Sequence, residues 1–289
     1  MNLQDWKIIH TLYSVKNITK TANELFISQP ALTNRIKIIE EKLSTTLVIR
    51  HRRGVQFTIE GEYLAQCASD MLKQHQQIQE NLANLKSTVS GTLRLGVSKY
   101  FAKYKIPKLL RLFKTEYPDV EFQVVTGWSG DIYKSITNRD VHIGFVRGDY
   151  PWREGQDLLL VEKICAASTK SFEWSDLPSM PRIVYDTDYK LNAIVENWWA
   201  ENYKSPPNIS IEVDQVDTCK EMIVNDLGYG ILPTITVSDL PDLYKKTLLD
   251  KNGNPLIRKT FLYYHADTLS INMVQAFISF VQKIDFKVL

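Results

Sequence analysis

Cysteine is scarce in this 289-residue chain: Cys67, Cys165 and Cys219 are an odd, widely spaced set without the paired spacing of a metal site or a thioredoxin-type motif. A disulfide framework is excluded as an organising device, and buried thiols with no redox role are expected. Long apolar runs are missing too. Nothing approaches the roughly 20 residues that span a bilayer, and no basic-then-apolar leader follows Met1, so a cytoplasmic protein without membrane contact is expected. Net charge is small, +2, but unevenly placed: residues 1–60 hold nine Lys and Arg against five Asp and Glu, and the remainder is slightly acidic. The positive end marks the part suited to nucleic acid. Proline is absent from Glu60 to Ser90, where Gly61 is the sole glycine, so a long helix is favoured there. A chain of this length with 44% hydrophobic residues exceeds what one core organises, and at least two domains are expected.

What is present is most informative from Ile18 to Leu43, ITKTANELFISQPALTNRIKIIEEKL, which reads as two short helices joined by a tight turn. The first is expected to begin near Thr19, with Ala22, Leu25 and Phe26 on its apolar side. Ser28 offers a cap for the second and Pro30 falls in its first turn, where a missing N–H costs nothing. Leu32, Ile36, Ile39 and Leu43 form one buried stripe at helical spacing. The outer face carries Gln29, Thr33, Asn34 and Lys37, side chains able to bond adenine, thymine, guanine or phosphate in a major groove. A solvated amphipathic helix has the same polar face; the flanks favour DNA. Residues from Leu3 to Tyr13 form a covering helix, and Leu47 to Thr58 alternates around a turn at Arg53-Gly54. The result is a short wing bearing Arg50, Arg52 and Arg53, suited to phosphate or minor-groove contact.

At these residues the chain resembles the LysR-type transcriptional regulators. The signature comprises Ala22, Leu25, Ser28-Gln29-Pro30-Ala31, Ile36, Glu40, Leu47, Arg50 and Thr58 to Gly61. The resemblance implies that Gln29, Pro30, Thr33 and Asn34 approach bases and that the wing arginines approach the backbone. Thr21 stands where an alanine pair is usual, and Asn34 replaces a frequent arginine, so operator preference does not carry over.

Within Glu60 to Ser90, Leu64, Met71, Ile78 and Leu85 are each seven apart, with Ala68, His75, Leu82 and Val89 as a second series. Such a seam needs a partner helix. The resemblance makes it a linker helix that pairs two subunits, placing two recognition helices against a two-fold related double-stranded promoter site, with a homotetramer as the full assembly. His75 is read as a seam residue without function.

After a hinge at Ser87 to Gly91, strands and helices alternate: TLRLGV, Ile106 to Tyr117, VEFQVVTG, Ile132 to Asn138, VHIGFV. This is a parallel βαβ organisation. A second unit from about Glu162 includes a helix at 191–202, a strand at 209–213, a helix at 218–226 and Gly228-Tyr229-Gly230-Ile231-Leu232-Pro233, a run that also resembles the family's effector domain. A late strand at 257–265 and a last helix at 270–284 return the chain to the first lobe. The expected fold class is therefore α plus α/β: an N-terminal winged helix-turn-helix (1–59), a linker dimerisation helix (60–87), and a two-lobed, periplasmic-binding-protein-like effector domain. Lobe I takes residues 88–161 and 268–289, and lobe II takes 162–267.

Two such lobes clamp a small molecule at the carboxyl ends of their strands. Ser98, Lys99 and Tyr100, then Trp128 and Ser129, then Arg147 follow three strands of lobe I; Gln215, within Asp214 to Thr218, and Arg258 are the candidates from lobe II. Hydroxyls, helix amides and cations on one rim suit an anion, most simply a carboxylate. VDQVDTCKEMI and PLIRKTF resemble the citrate-responsive catabolite control regulators of low-GC Gram-positive bacteria. The resemblance implies that Arg147 and Arg258 grip citrate from opposing lobes, unless each pairs with a local acid such as Asp149 or Asp214. Lys99, Tyr100 and Trp128 depart from that branch, which leaves other di- or tricarboxylates and aromatic acids open. No cofactor or metal is expected, and the cleft offers no coherent nucleophile, base and metal set, so an enzyme is not expected. His142 is read as a packed strand histidine. A two-lobed carboxylate-binding protein has no use for residues 1–60, whereas a ligand-independent regulator is compatible with every pattern here.

Overall fold

Asn2 sets the first helix by a reciprocal cap: its side chain accepts from the Asp5 amide at 2.9 Å while the Asp5 carboxylate accepts from the Asn2 amide at 2.8 Å. Helix α1 (Leu3–Val15) presents Ile8, Ile9 and Leu12 inward. Helix α2 (Ile18–Glu24) is capped by Asn17, which accepts from the Lys20 amide at 3.0 Å. Asn17 takes the role expected near Thr19. The turn after α2 holds Phe26 at φ 55°, with the ring 95% exposed. The ring therefore does not join Ala22 in the core as its spacing suggested. A left-handed conformation costs an L-residue about 1–2 kcal/mol. Thr21, the departure from the family's alanine pair, is buried, and its hydroxyl lacks a partner among the described residues.

Helix α3 (Gln29–Leu43) starts at Ser28, whose hydroxyl accepts from the Ala31 amide at 3.3 Å. Leu32, Ile36 and Ile39 are fully buried, whereas Leu43, in the last turn, is 41% exposed and lies off the stripe expected to include it. Arg35 reaches across to buried Asp5 with two bonds, Nε to Oδ1 at 2.5 Å and Nη2 to Oδ2 at 2.9 Å, fixing α3 against α1. Burial alone would raise the Asp5 carboxyl; the bonds from Arg35 and Asn2 outweigh it and hold its pKa below the usual value. One carboxylate oxygen of Glu40 accepts from the amides of Leu47 and Val48 at 2.7 and 3.2 Å, launching β1 (Val48–His51). It pairs antiparallel with β2 (Gly54–Phe57), His51 opposite Gly54.

Helix α4 (Ile59–Asn84) buries Ala65 and Ala68 in the same core, while Met71, Ile78 and Leu82 are 44%, 58% and 60% exposed. The seam thus splits into a part satisfied within the chain and a part without cover. Leu85 lies outside the described residues, which are 1–51, 54–84 and 89–289 in this computed structural model. Val89 packs on the core of the second unit, so it does not continue the second seven-residue series. The two compact units are Met1–Ser87 and Thr88–Leu289. Among the described residues no helix is long and apolar enough to cross a membrane.

The second unit runs β3 (Gly91–Ser98), α5 (Lys99–Tyr104), α6 (Ile106–Glu116), β4 (Val120–Gly127), α7 (Ser129–Thr137), β5 (Ile143–Arg147), β6 (Gly155–Ser168), β7 (Arg182–Tyr185), α8 (Tyr189–Asn202), β8 (Ile209–Val213), α9 (Val216–Val224), β9 (Gly230–Pro233), β10 (Tyr244–Thr247), β11 (Ile257–Tyr264) and α10 (Asn272–Val281). In the first lobe β3 pairs parallel with β4 and β5, and β11 sits antiparallel between β5 and β6. In the second, β6 pairs antiparallel with β9 and β10, and β7 pairs parallel with β8. One strand therefore serves both lobes: residues 155–163 of β6 face β11, and 164–167 face β9. This corrects the expected division. The 161/162 boundary falls inside β6, and β11, assigned to lobe II, is a strand of the lobe I sheet. Helix α10 packs Met273, Val274, Phe277 and Val281 into the first-lobe core with Phe101, Phe113 and Phe145. His142 is buried, and its Nδ1 accepts from the Arg94 amide at 3.1 Å, extending the β3–β5 pairing.

Gly61 is the tightest backbone position of the first unit: a Cβ there would lie 2.1 Å from the Leu47 carbonyl oxygen. Gly61→Ala is expected to destabilise the N-terminal unit by about 1–3 kcal/mol, read as an earlier urea midpoint with α4 amides losing hydrogen-exchange protection; an unchanged midpoint would refute the contact.

Candidate functional site

The carboxyl ends of β3, β4 and β5 face those of β7 and β8 across a cavity of about 130 Å³. All eight residues expected there line it: Ser98, Lys99, Tyr100, Trp128, Ser129, Arg147, Gln215 and Arg258. The size is near that of an engineered cavity of roughly 150 Å³ that holds benzene and below the roughly 300 Å³ of drug-sized sites. In this conformation the cleft admits a small ligand only.

Its charge is largely compensated internally. Arg147 Nη2 bonds Glu162 Oε2 at 2.8 Å, and both residues are buried. The Arg147 guanidinium lies 4.2 Å from the Tyr100 ring centroid, and its backbone amide donates to Ser129 Oγ at 3.3 Å. Arg258 is buried and bonds Asp188, whose other oxygen caps α8 by accepting from the amides of Lys190 and Leu191. Burial lowers the pKa of Arg258 and the like charge of Arg147 adds to this, with Asp188 acting against both. Glu162 and Asp188, not Asp149 or Asp214, are thus the partners. The expectation of arginines on opposing lobes is corrected as well: Arg258 stands opposite Glu162 in the β11–β6 pairing and Thr260 opposite Arg147 in β11–β5. The two cations are neighbours in one sheet, and only Asp188 comes from lobe II.

Around them lie buried polar atoms that have no hydrogen-bond partner among the described residues: Ser98 Oγ, Thr260 Oγ1, Glu162 Oε1 and the Nε atoms of Arg147 and Arg258; the Tyr100 and Thr236 hydroxyls lie close to each other and meet nothing else among those residues. Such atoms cost free energy unless something enters to meet them. Lys99 Nζ sits 4.1 Å from the Trp128 ring centroid and has no acid partner among the described residues. Gln215 is exposed at the rim and bonds Asp214 at 3.4 Å.

Sequence reasoning missed the contacts that join the two lobes. Asp217, in the first turn of α9, takes Lys103 Nζ at 2.7 Å and the Tyr104 hydroxyl from α5. Lys190 donates to the Asp149 carbonyl. Burial raises the Asp217 carboxyl, but the bonds from Lys103 and Tyr104 outweigh it and hold it below the usual value. Burial and the same bond push the Tyr104 phenol up, so it stays a donor. Asp217 lies within the expected Asp214 to Thr218 turn, although its partners on α5 were not foreseen, and Asp188 carries a readable cap signal; Glu162 carries none, because only strand pairing brings it to Arg147.

On α3, Gln29, Pro30, Asn34 and Lys37 are exposed and Thr33 is half-buried. Gln29 Nε2 donates to Thr33 Oγ1 at 3.2 Å, and Lys37 lies 3.6 Å from Glu41. Arg50 is exposed on β1; Arg52 and Arg53 lie outside the described residues. Cys165 and Cys219 share one core cluster, where burial pushes each thiol up to about 12, and Cys67 is half-buried. Neither buried thiol is ionised at neutral pH. Glu154, His265 and Asp267 stand close enough to hold a metal, but His265 already bonds Glu154 and the Ile136 carbonyl at 2.8 Å, and Asp267 bonds Arg139 at 2.9 Å.

Residues 3–62 match the bacterial regulatory helix-turn-helix proteins of the lysR family, and residues 86–284 match the LysR substrate binding domain. The chain belongs to the LysR family of transcriptional regulators. Two relatives from Bacillus subtilis are YraN, named an uncharacterized HTH-type transcriptional regulator, 42% identical and covering 98% of each chain, and YkuM, likewise named, 32% identical over 98% of this chain and 97% of its own. Among solved structures, full-length AphB, described as the Vibrio cholerae virulence activator, aligns with a TM-score of 0.65 at 15% identity, covering 99% and 100% of the two chains. Full-length CbnR in complex with its target DNA aligns at 0.66 and 16%, covering 98% and 99%. These likenesses establish the fold and the regulator family, not the citrate-responsive branch. This LysR-type regulator thus joins a DNA-binding helix-turn-helix unit to a two-lobed domain of the kind that takes a small-molecule effector.

The depressed carboxyl of Asp217 sets a sign for acid stability. Its contribution is complete above the unfolded value of 3.8 and is lost as pH falls through the lower folded value. Asp217→Asn is expected to flatten that acid limb in thermal melts and to lower the neutral-pH midpoint; parallel acid limbs in the two proteins would refute the contact.

Proposed function

We propose that this regulator binds a two-fold related promoter site as a dimer and that a small carboxylate entering the cleft alters the binding. On the DNA side, Gln29, Thr33 and Asn34 read base edges, Pro30 lets the first turn of α3 approach them, and Lys37 and Arg50 meet phosphates, with Arg52 and Arg53 assigned the same role from sequence. The uncovered Met71, Ile78 and Leu82 of α4 support pairing with a second copy, and family likeness supports a homotetramer.

The observation that carries the effector reading is the set of buried donors around the cavity left without an acceptor among the described residues, together with Lys99, which has no acid partner among them. A carboxylate satisfies both: it accepts from Ser98, Tyr100 and Thr236 and neutralises Lys99. Citrate stays first among candidates through the branch resemblance, but its three carboxylates need a wider cleft than about 130 Å³. Entry then opens the lobes, and effector and DNA affinities are reciprocally coupled. One observation favours a second reading, a ligand-independent regulator: Arg147 and Arg258 already have their acids.

The deciding measurement is thermal stabilisation of the full chain by mono-, di- and tricarboxylates, citrate included. A ligand at a hundred times its Kd adds about 2.7 kcal/mol, a shift on the order of 5–10 °C. Lys99→Ala is expected to cut that shift at least by half while leaving the ligand-free midpoint in place, since Lys99 is exposed. No shift with any acid would support the ligand-independent reading.

A further inference from the structure

We infer that Phe26 is a DNA-contacting residue: its ring makes an apolar contact with the duplex beside the first turn of α3. Three observations converge. The side chain is 95% exposed, the largest exposure among the large hydrophobic side chains of the described residues. Its backbone is held at φ 55° by the turn that closes α2, where the Phe26 amide donates to the Asn23 carbonyl at 3.2 Å and the Ile27 amide to the Ala22 carbonyl at 3.0 Å. That helix-ending geometry suits glycine or asparagine. A phenylalanine here neither relieves the backbone nor fills a core, and strained positions of this kind gather where function holds them. Finally, Phe26 precedes Gln29 by three residues, and Ser28, Gln29, Pro30 and Ala31 are all exposed beside it, so the ring is continuous with the face that meets DNA.

An aromatic ring among these polar side chains fits two apolar features of a duplex, the deoxyribose face and the thymine methyl. This rests on the DNA-binding reading of α3, and the experiment separates the two. The wild-type full chain first selects a duplex from a random-sequence library; failure to select any would remove the reading of α3 and the role of Phe26 with it. Full-length Phe26→Gly and Phe26→Asn are then compared with wild type on that duplex, on a scrambled duplex, and on the selected duplex with thymine replaced by uracil.

Both variants are expected to melt at or above the wild-type midpoint and to bind the selected duplex about tenfold more weakly, equivalent to about 1.4 kcal/mol. Equal weakening on the scrambled duplex assigns the contact to deoxyribose. Weakening confined to the selected duplex, with the wild-type advantage lost on uracil, assigns it to a thymine methyl. Unchanged DNA affinity would overturn the proposal and leave the ring to a protein partner. A midpoint lowered in both variants would overturn it too, by showing that Phe26 supports the fold.

Discussion

Strand β6 passes through both lobes, and the geometry of the cleft follows from that constraint. Because its first part pairs with β11 and its last part with β9 and β10, one continuous backbone joins the two lobes. Arg147, Glu162 and Arg258 are fixed by neighbouring strands at that crossing, and Asp188 reaches them from the other lobe. Separating the lobes strips Arg258 of its acid at a site where burial already disfavours its charge. Breaking a buried pair in this way costs several kcal/mol, about 3–5 by comparison with measured cases. Opening is thus resisted by electrostatics at the floor and by Asp217 with Lys103 and Tyr104 at the rim. On the proposed reading, an effector that opens the cleft supplies acceptors in place of these carboxylates, as an anion does.

The N-terminal unit is organised by short polar contacts rather than by size of core. Asp5 fixes α1 to α3 through Arg35, and Glu40 fixes the wing to the end of α3 through the amides of Leu47 and Val48. These bonds set the direction in which α3 presents its outer face. The outer face of α3, proposed to read DNA, makes few contacts among the described residues. Gln29 with Thr33, and Lys37 with Glu41, exchange weak bonds that a base or phosphate can replace.

Much was legible in the chain because local rules agreed with the global fold. The cap at Ser28, the buried stripe of Leu32, Ile36 and Ile39, the wing strands and the strand at 209–213 all follow from propensity and periodicity. Errors fell where local pattern and tertiary environment diverge. Phe26 and Leu43 have apolar spacing but lie where their helices leave the core, and Val89 keeps a seven-residue rhythm yet belongs to another core. The lobe boundary was misplaced because β6 carries no break in its sequence as it passes from one sheet to the next.

By itself the sequence determined which residues gather at the cleft, because strand ends followed by helix starts place Ser98, Trp128, Arg147 and Gln215 on one rim in any fold of this type. It also determined the exposed polar face of α3. Tertiary structure alone decided the electrostatic state of the cleft. Glu162 lies fifteen residues from Arg147 and Asp188 seventy from Arg258, separations at which no local pattern speaks. Strand register in β5, β6 and β11 brings the first pair together, and lobe closure the second. Whether an arginine awaits a ligand or already holds an acid depends on that long-range pairing, since charge compensation acts over a few ångströms in space irrespective of distance along the chain.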